Sequence, residues 1–254
     1  MSYLLAIDSG NSYVKWGLHD GNQWLKQGKV FYDIVGSLEK EFIDLPVPTS
    51  IVISHVARAV TRNELNRLIS IWPITKPQWI TTHTSQCGVY NGYSNSNQLG
   101  SDRWAALIAA WKIQCRACLV INVGTAVTVD VLSESGKFLG GIILPGIHLM
   151  LKSLQAGTQL INVEMGDYED FPVNTNDAIQ SGVMQCLLGA IDRMYNLLLL
   201  QQDHFVGNCI ISGGGASILV PFIKFPINVV DNLVLEGLVI IAADTLSNKK
   251  TAIS

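Results

Sequence analysis

The chain carries nearly the same message twice, and that repetition constrains its fold more than any other feature. An apolar run ends in Asp8-Ser9-Gly10-Asn11-Ser12, continues through Val14, Trp16 and Leu18, and turns at Asp20-Gly21. The pattern returns at Leu119-Val120-Ile121, which leads into Asn122-Val123-Gly124-Thr125-Ala126, then Val127, Val129 and Val131, and a turn near Ser135-Gly136. Laid on each other, Asp8 falls on Asn122, Gly10 on Gly124 and Asn11 on Thr125, an offset of 114 residues. Alternating apolar residues around a glycine-bearing turn mark a β-hairpin. Two copies predict a duplicated α/β protein, with 1–116 as the first half and 117–254 as the second.

Composition supports a core-rich protein: 48% of the 254 residues are hydrophobic and only 15% charged, which excludes a disordered chain. The net charge of −3 comes without any basic run, so no electrostatic footprint for nucleic acid is present. The N-terminus meets Asp8 too early for a signal peptide, and Glu236 and Gly237 interrupt the apolar stretch Leu233 to Ile241. The expectation is a cytosolic protein with no membrane span. Five cysteines at 87, 115, 118, 186 and 209 are odd in number and scattered, as reduced, buried or half-buried thiols are.

Along the chain, the spacing predicts hairpin strands over 3–32, a short helix at 37–42, a buried strand at 50–54 and an amphipathic helix over 61–71. A strand at Trp79-Ile80 follows, then a long loop from Gly88 to Gly100 rich in Tyr, Asn, Ser and Gly. Ser101 opens a helix to about Lys112 that buries Trp104, Leu107, Ile108 and Trp111. The second half predicts strands over 118–144, a helix over 147–154, a polar stretch over 165–174 and a long helix over 175–200. In that helix Gly182 and Gly189 permit close packing. Strands at 210–211 and 228–231 and a helix over 233–246 complete the chain.

Four segments carry chemistry. In Asp8-Ser9-Gly10-Asn11-Ser12 the glycine allows a tight turn whose N–H groups can converge on phosphate oxygens, with Asn11 and Ser12 adding side-chain donors. An aspartate there needs a cation between itself and phosphate, so Asp8 implies Mg²⁺, held through water. Gly124-Thr125-Ala126 is a second, hydroxyl-bearing turn, and Ser212-Gly213-Gly214-Gly215 lies between a strand and a helix whose N-terminus favours anions. Taken singly, each turn is also an ordinary hairpin. Together they predict a nucleotide gripped from both sides of a cleft between the halves. The fourth segment is Gly100-Ser101-Asp102-Arg103. The helix dipole would keep Asp102 ionised and able to accept a hydroxyl proton, and Arg103 can fork onto a carboxylate or phosphate. Helix capping and a surface salt bridge are the plainer uses of the same two residues. His19, His55, His83, His148 and His204 show no metal-ligand spacing and are assigned structural roles, and Trp16, Trp72, Trp79, Trp104 and Trp111 are assigned to cores.

This constellation resembles the acetate and sugar kinase, Hsp70 and actin superfamily, and within it the type III pantothenate kinases, over essentially the whole length. Asp8-x-Gly10-Asn11-Ser12-x-x-Lys15 is similar to the family's first phosphate motif, with Ser12 in place of threonine. Gly100-Ser101-Asp102-Arg103 matches the G-x-D-R substrate motif, whose aspartate is taken as general base. Tyr93 and Thr175 stand where the family contacts pantothenate, Thr125 on the second phosphate loop, and Gly213 and Gly214 on the adenosine motif. Asn122 replaces an aspartate that binds K⁺ or NH₄⁺ in the family, which weakens or removes the cation dependence. The resemblance implies duplicated ribonuclease H-like, actin-like ATPase domains, ATP-dependent phosphorylation of pantothenate to 4'-phosphopantothenate, and a homodimer. Two other readings share these motifs: a kinase for another small hydroxyl substrate, and a nucleotide-binding regulatory protein without turnover.

Overall fold

Apolar side chains on both faces make Leu4–Ser9 (β1) a central strand, whereas Tyr13–His19 (β2) and Trp24–Phe31 (β3) grow more exposed toward an edge. The computed structural model describes residues 2–157, 166–201 and 209–251, without the side chains of 247–251. The chain continues through Leu38–Ile43 (α1), Ser50–His55 (β4), Ala59–Ile69 (α2), Pro77–Trp79 (β5), Ser85–Gln86 (β6), Val89–Tyr90 (β7) and Ser101–Gln114 (α3). Then come Cys118–Val123 (β8), Ala126–Leu132 (β9), Phe138–Pro145 (β10), Ile147–Gly157 (α4) and Thr175–Gln201 (α5). Cys209–Ser212 (β11), Ala216–Leu219 (α6), Ile227–Val229 (β12) and Leu233–Thr251 (α7) follow.

Contacts group the chain into two units, Met1–Ile113 with Asn232–Ser254, and Gln114–Asp231. Among the described residues, each unit holds a five-stranded sheet, ordered β3-β2-β1-β4-β5 in the first and β10-β9-β8-β11-β12 in the second. In both, the three leading strands form antiparallel hairpins and the later two join in parallel. The repeat in the sequence is therefore a repeat of topology. Its register sets Asp8 beside Lys15 and Ser54, and Asn122 beside Thr128 and Ser212.

The first core gathers Leu5, Ile7, Ile51 and Ile53 with an aromatic stack in which Trp16 meets Phe42 edge-on at 5.3 Å and Phe42 lies on Trp72 at 5.6 Å. In the second, Val183, Leu187 and Ile191 of α5 pack with β8 and β9. At 27 residues α5 is long and apolar enough by length and composition to cross a membrane, contrary to the expectation that no stretch reaches that length. Its buried residues belong to this core, which accounts for the apolar character of that face.

Several expectations need correction. The sequence assigns 233–246 to the second half, but α7 packs on β1, β2 and β4 of the first unit. Its buried Leu235, Leu238 and Ile241 need an apolar sheet, and the indole N–H of Trp24 donates to Glu236 at 2.7 Å. A division by chain order cannot register a helix that returns. Gly182 and Gly189 have open space beside them rather than close neighbours. Residues 88–100 include β7 and a 3₁₀ turn at Ser96–Gln98, and Trp111 is only half-buried. Cys118 and Cys209 are buried and Cys87 half-buried, but Cys115 and Cys186 are exposed. His204 and the start of the polar stretch at Met165 lie outside the described residues.

Close approach is decisive at Gly237 on α7, where an added Cβ would fall 2.0 Å from the Ala105 carbonyl oxygen of α3. Neither helix backbone can yield without unpacking the sheet beneath. Gly237→Ala is therefore expected to cost about 2–3 kcal/mol and lower the melting temperature by roughly 5–10 °C in a thermal melt. An unchanged melt would mean that α7 is free to shift along α3.

Candidate active site

In an open α/β sheet the carboxyl ends of parallel strands are where ligands meet backbone and side chains. In the first unit these ends are Asp8-Ser9 of β1 and Ser54-His55 of β4. Asp8 is only 9% exposed, and its Oδ1 is buried without a hydrogen-bond partner among the described residues. Burial pushes its carboxyl up to about 7, the Asp102 carboxylate adds to the rise, and Lys15 across the hairpin opposes it. A buried, unpartnered carboxylate oxygen with a second carboxylate nearby is a donor set that fits a divalent cation.

The turn itself differs from expectation. The Gly10 N–H donates to Tyr13 O at 3.0 Å and so closes the hairpin instead of facing a ligand. Of the other polar residues of this hairpin, Asn11 is exposed and Ser12 and Lys15 are half-buried. Ser9 points inward, fully buried, with its hydroxyl 3.0 Å from His55 Nδ1.

Gly100 precedes α3 and accepts the Trp104 N–H at 3.0 Å, so the substrate motif forms the first turn of the helix. Ser101 is buried, with Oγ 3.0 Å from Ser54 Oγ and 3.1 Å from the His55 N–H that it accepts. Asp102 Oδ1 accepts the Arg103 backbone N–H at 2.8 Å. The helix dipole does not dominate here, because desolvation raises the Asp102 pKa against the lowering by Arg103. A raised carboxyl is better matched to proton abstraction near neutral pH. Arg103 is 6% exposed rather than at the surface, and its Nη1 donates to the Tyr93 hydroxyl at 3.1 Å. Tyr93 is anchored in turn by its N–H to Asn91 Oδ1 at 3.0 Å.

The first unit thus brings together Asp8, Ser9, Lys15, Asp102, Arg103 and Tyr93. The remaining candidates lie in the second unit. Gly124 N–H is used by Ala126 O at 3.0 Å, and exposed Thr125 accepts Gly146 N–H at 2.9 Å. Gly213 has φ +103°, and an added Cβ would lie 2.3 Å from Val123 O and 2.8 Å from Asn122 Oδ1. Only glycine fits that position. The helix after Gly214 and Gly215 is four residues long, too short for the N-terminal dipole expected of it. Thr175, the exposed first residue of α5, borders a cavity of about 770 Å³ with Met150, Leu154, Val173, Ile179 and Cys186.

Ser54 and His55 escape the sequence reading. The repeat itself carries the signal that finds them: as Asn122 pairs with Ser212 in parallel, Asp8 pairs with Ser54, so the partner of the first turn sits where the glycine loop sits in the second half.

Two five-stranded sheets of matching order give the duplicated α/β fold of the actin-like ATPase and sugar-kinase kind. Similar solved structures include a Campylobacter jejuni protein described as of the Baf family of transcriptional activators, at TM-score 0.61 and 22% identity, covering 96% of this chain and 99% of that one. MreB5 of Spiroplasma citri bound to ADP is similar at TM-score 0.50 and 10% identity, covering 98% and 99%. At such identities the likeness shows the fold alone. Residues 4–197 match the family model for type III pantothenate kinase. A Type III pantothenate kinase from Nitrosospira multiformis is 49% identical over 242 residues, covering 95% of this chain and 92% of the relative. The chain belongs to the type III pantothenate kinase family, and it phosphorylates pantothenate with ATP, the first step of coenzyme A synthesis.

The raised pKa of Asp8 has a measurable sign. Its contribution to stability is complete below the ordinary carboxylate value near 4 and is lost as pH rises through about 7. The ligand-free protein is expected to lose stability from pH 5 to 8, and Asp8→Asn to be the more stable form at pH 8 by up to about 4 kcal/mol. Mg²⁺ should raise the melting temperature of the unsubstituted protein at pH 8 but not that of the variant. Superimposable pH–melting curves for the two would contradict the assignment.

Proposed function

We propose that Asp102 is the general base of the pantothenate kinase reaction, taking the proton from the primary hydroxyl as its oxygen attacks the γ-phosphate of ATP. Its half-buried place at the start of α3, its pKa raised by desolvation and its nearness to Asp8 support this role. Arg103, locked on Tyr93, is assigned to the pantothenate carboxylate or the transferring phosphoryl group, and Tyr93 and Thr175 to hydrogen bonds with pantothenate. Gly100 and Ser101 shape the start of α3 that presents the base. Ser9 and Gly10 set the first turn, Asn11, Ser12 and Lys15 contact ATP phosphates from it, and Thr125 does so from the second. Gly213 and Gly214 give the adenosine moiety a flat backbone surface.

Asp8 would hold Mg²⁺, whose charge, when bound, offsets that of the ATP phosphates. Phosphoryl transfer depends mainly on positioning and charge neutralisation, so the alignment of Asp8, Lys15, Asp102 and Arg103 carries most of the catalysis. The homodimer belongs to the same reading, supported by apolar residues at the surface beside the α4–α5 cavity, where Phe171 is 92% and Val173 97% exposed. A cytosolic setting, in keeping with scattered free cysteines, completes it.

The carrying observation is the half-buried, desolvated carboxylate at the start of α3. In an ADP-release assay with pantothenate and Mg·ATP, Asp102→Asn is expected to lower kcat by about 10²–10⁴-fold. The acidic limb of the kcat/KM profile for pantothenate should lie above the ordinary carboxylate range, because the base must lose a proton whose pKa is raised. A variant as active as the parent would remove Asp102 from the mechanism.

Asn122 offers a carbonyl oxygen but no charge to a monovalent cation. Stimulation by K⁺ over Na⁺ is expected to be small, within about threefold, and to increase in Asn122→Asp, which restores the charge. Strong K⁺ dependence in the parent chain would show that the amide suffices.

A further inference from the structure

We propose that His55 is a positioning residue that fixes the Asp8 turn relative to the Asp102 helix. It is the last residue of β4 and the register partner of Ser9. Its Nδ1 lies 3.0 Å from Ser9 Oγ, and its backbone N–H donates to Ser101 Oγ at 3.1 Å. Ser9 immediately follows Asp8, and Ser101 immediately precedes Asp102. One residue therefore ties the chain neighbours of both carboxylates.

The tie is built for rigidity. Ser9, Ser54 and Ser101 are buried, so their hydrogen bonds are little screened and costly to leave unmade. Ser101 Oγ also reaches Ser54 Oγ at 3.0 Å, and the Val56 N–H donates to Ser9 O at 3.1 Å. The imidazole stands edge-on to Trp79 at 5.6 Å, and the Arg62 guanidinium lies over the Trp79 ring at 4.4 Å. Burial and the Arg62 charge both lower the His55 pKa, which favours a neutral ring bonded to Ser9.

The second unit shows that the sheet itself does not require this side chain. There the residue after the paired serine is Gly213, and Val123 O, the equivalent of Ser9 O, accepts at 3.0 Å the N–H of Gly215, one position further along than Val56. The backbone bridge is common to both units. The side-chain bridge belongs to the unit that holds Asp102.

The proposal rests on Asp102 acting as base, and the test separates the two. His55→Ala, His55→Asn and Asp102→Asn are compared in the full chain for kcat, both KM values, nucleotide binding by calorimetry, and melting temperature. Asparagine places a polar atom at the same bond count from Cα as Nδ1, so it can still reach Ser9. His55→Ala should lose about 10–100-fold in kcat with KM values within threefold and nucleotide binding retained, and His55→Asn should recover most of the loss. Should His55→Ala fail to fold, His55→Gln replaces it, since its amide lies one bond farther out and should not rescue kcat. Unchanged kcat in the alanine variant, equal losses in the asparagine and alanine or glutamine variants, or a change in melting temperature alone would overturn positioning by His55. An Asp102→Asn variant as active as the parent would overturn the base assignment instead.

Discussion

The chemistry of the first unit depends on the parallel pairing of β1 with β4, because that pairing brings two chain segments forty-odd residues apart to the same strand end. Leu5, Ile7, Ile51 and Ile53 bury both strands completely, each contributing on the order of 1.5–3 kcal/mol. A one-residue slip would turn these side chains to the other face, so the register is strongly held. With it held, Asp8 and Ser9 meet Ser54 and His55, and through Ser101 the start of α3 is drawn to the same place.

That arrangement gathers carboxylates where water is scarce. Asp8 and Asp102 both feel desolvation, and the Asp102 charge raises the Asp8 pKa further. Such a pair is unfavourable for a fold on its own; in the proposed mechanism one carboxylate takes the substrate proton and the other would hold the Mg²⁺ whose charge offsets the phosphates. Lys15 and Arg103 offset part of the cost without occupying either carboxylate completely. Arg103 is held by Tyr93, so the substrate loop and the substrate helix form one polar network.

The second unit repeats the strand order and hairpin geometry but not the charges. Asn122 takes the place of Asp8, and Gly213 takes the place of His55. One topology therefore supports an acidic site in one unit and a glycine-lined, neutral backbone surface in the other. The two sheets share their strand order, and their equivalent strand ends differ in charge and side chain.

Much of this was legible in the chain. The repeated strand-turn-strand pattern determined the duplicated α/β architecture, because a period of two and a glycine turn are local properties. Asp8, Asp102 and Arg103 could be singled out as candidates from motif spacing for the same reason. The sequence could not show that the Gly10 N–H closes its own hairpin, that Arg103 is buried on Tyr93, or that Asp102 is governed by desolvation more than by its helix. Nor could it return α7 to the first sheet or bring His55 to Ser9. Those features arise from burial and from contacts between segments distant in sequence, and both exist only after the strands have paired and the helices have packed upon them.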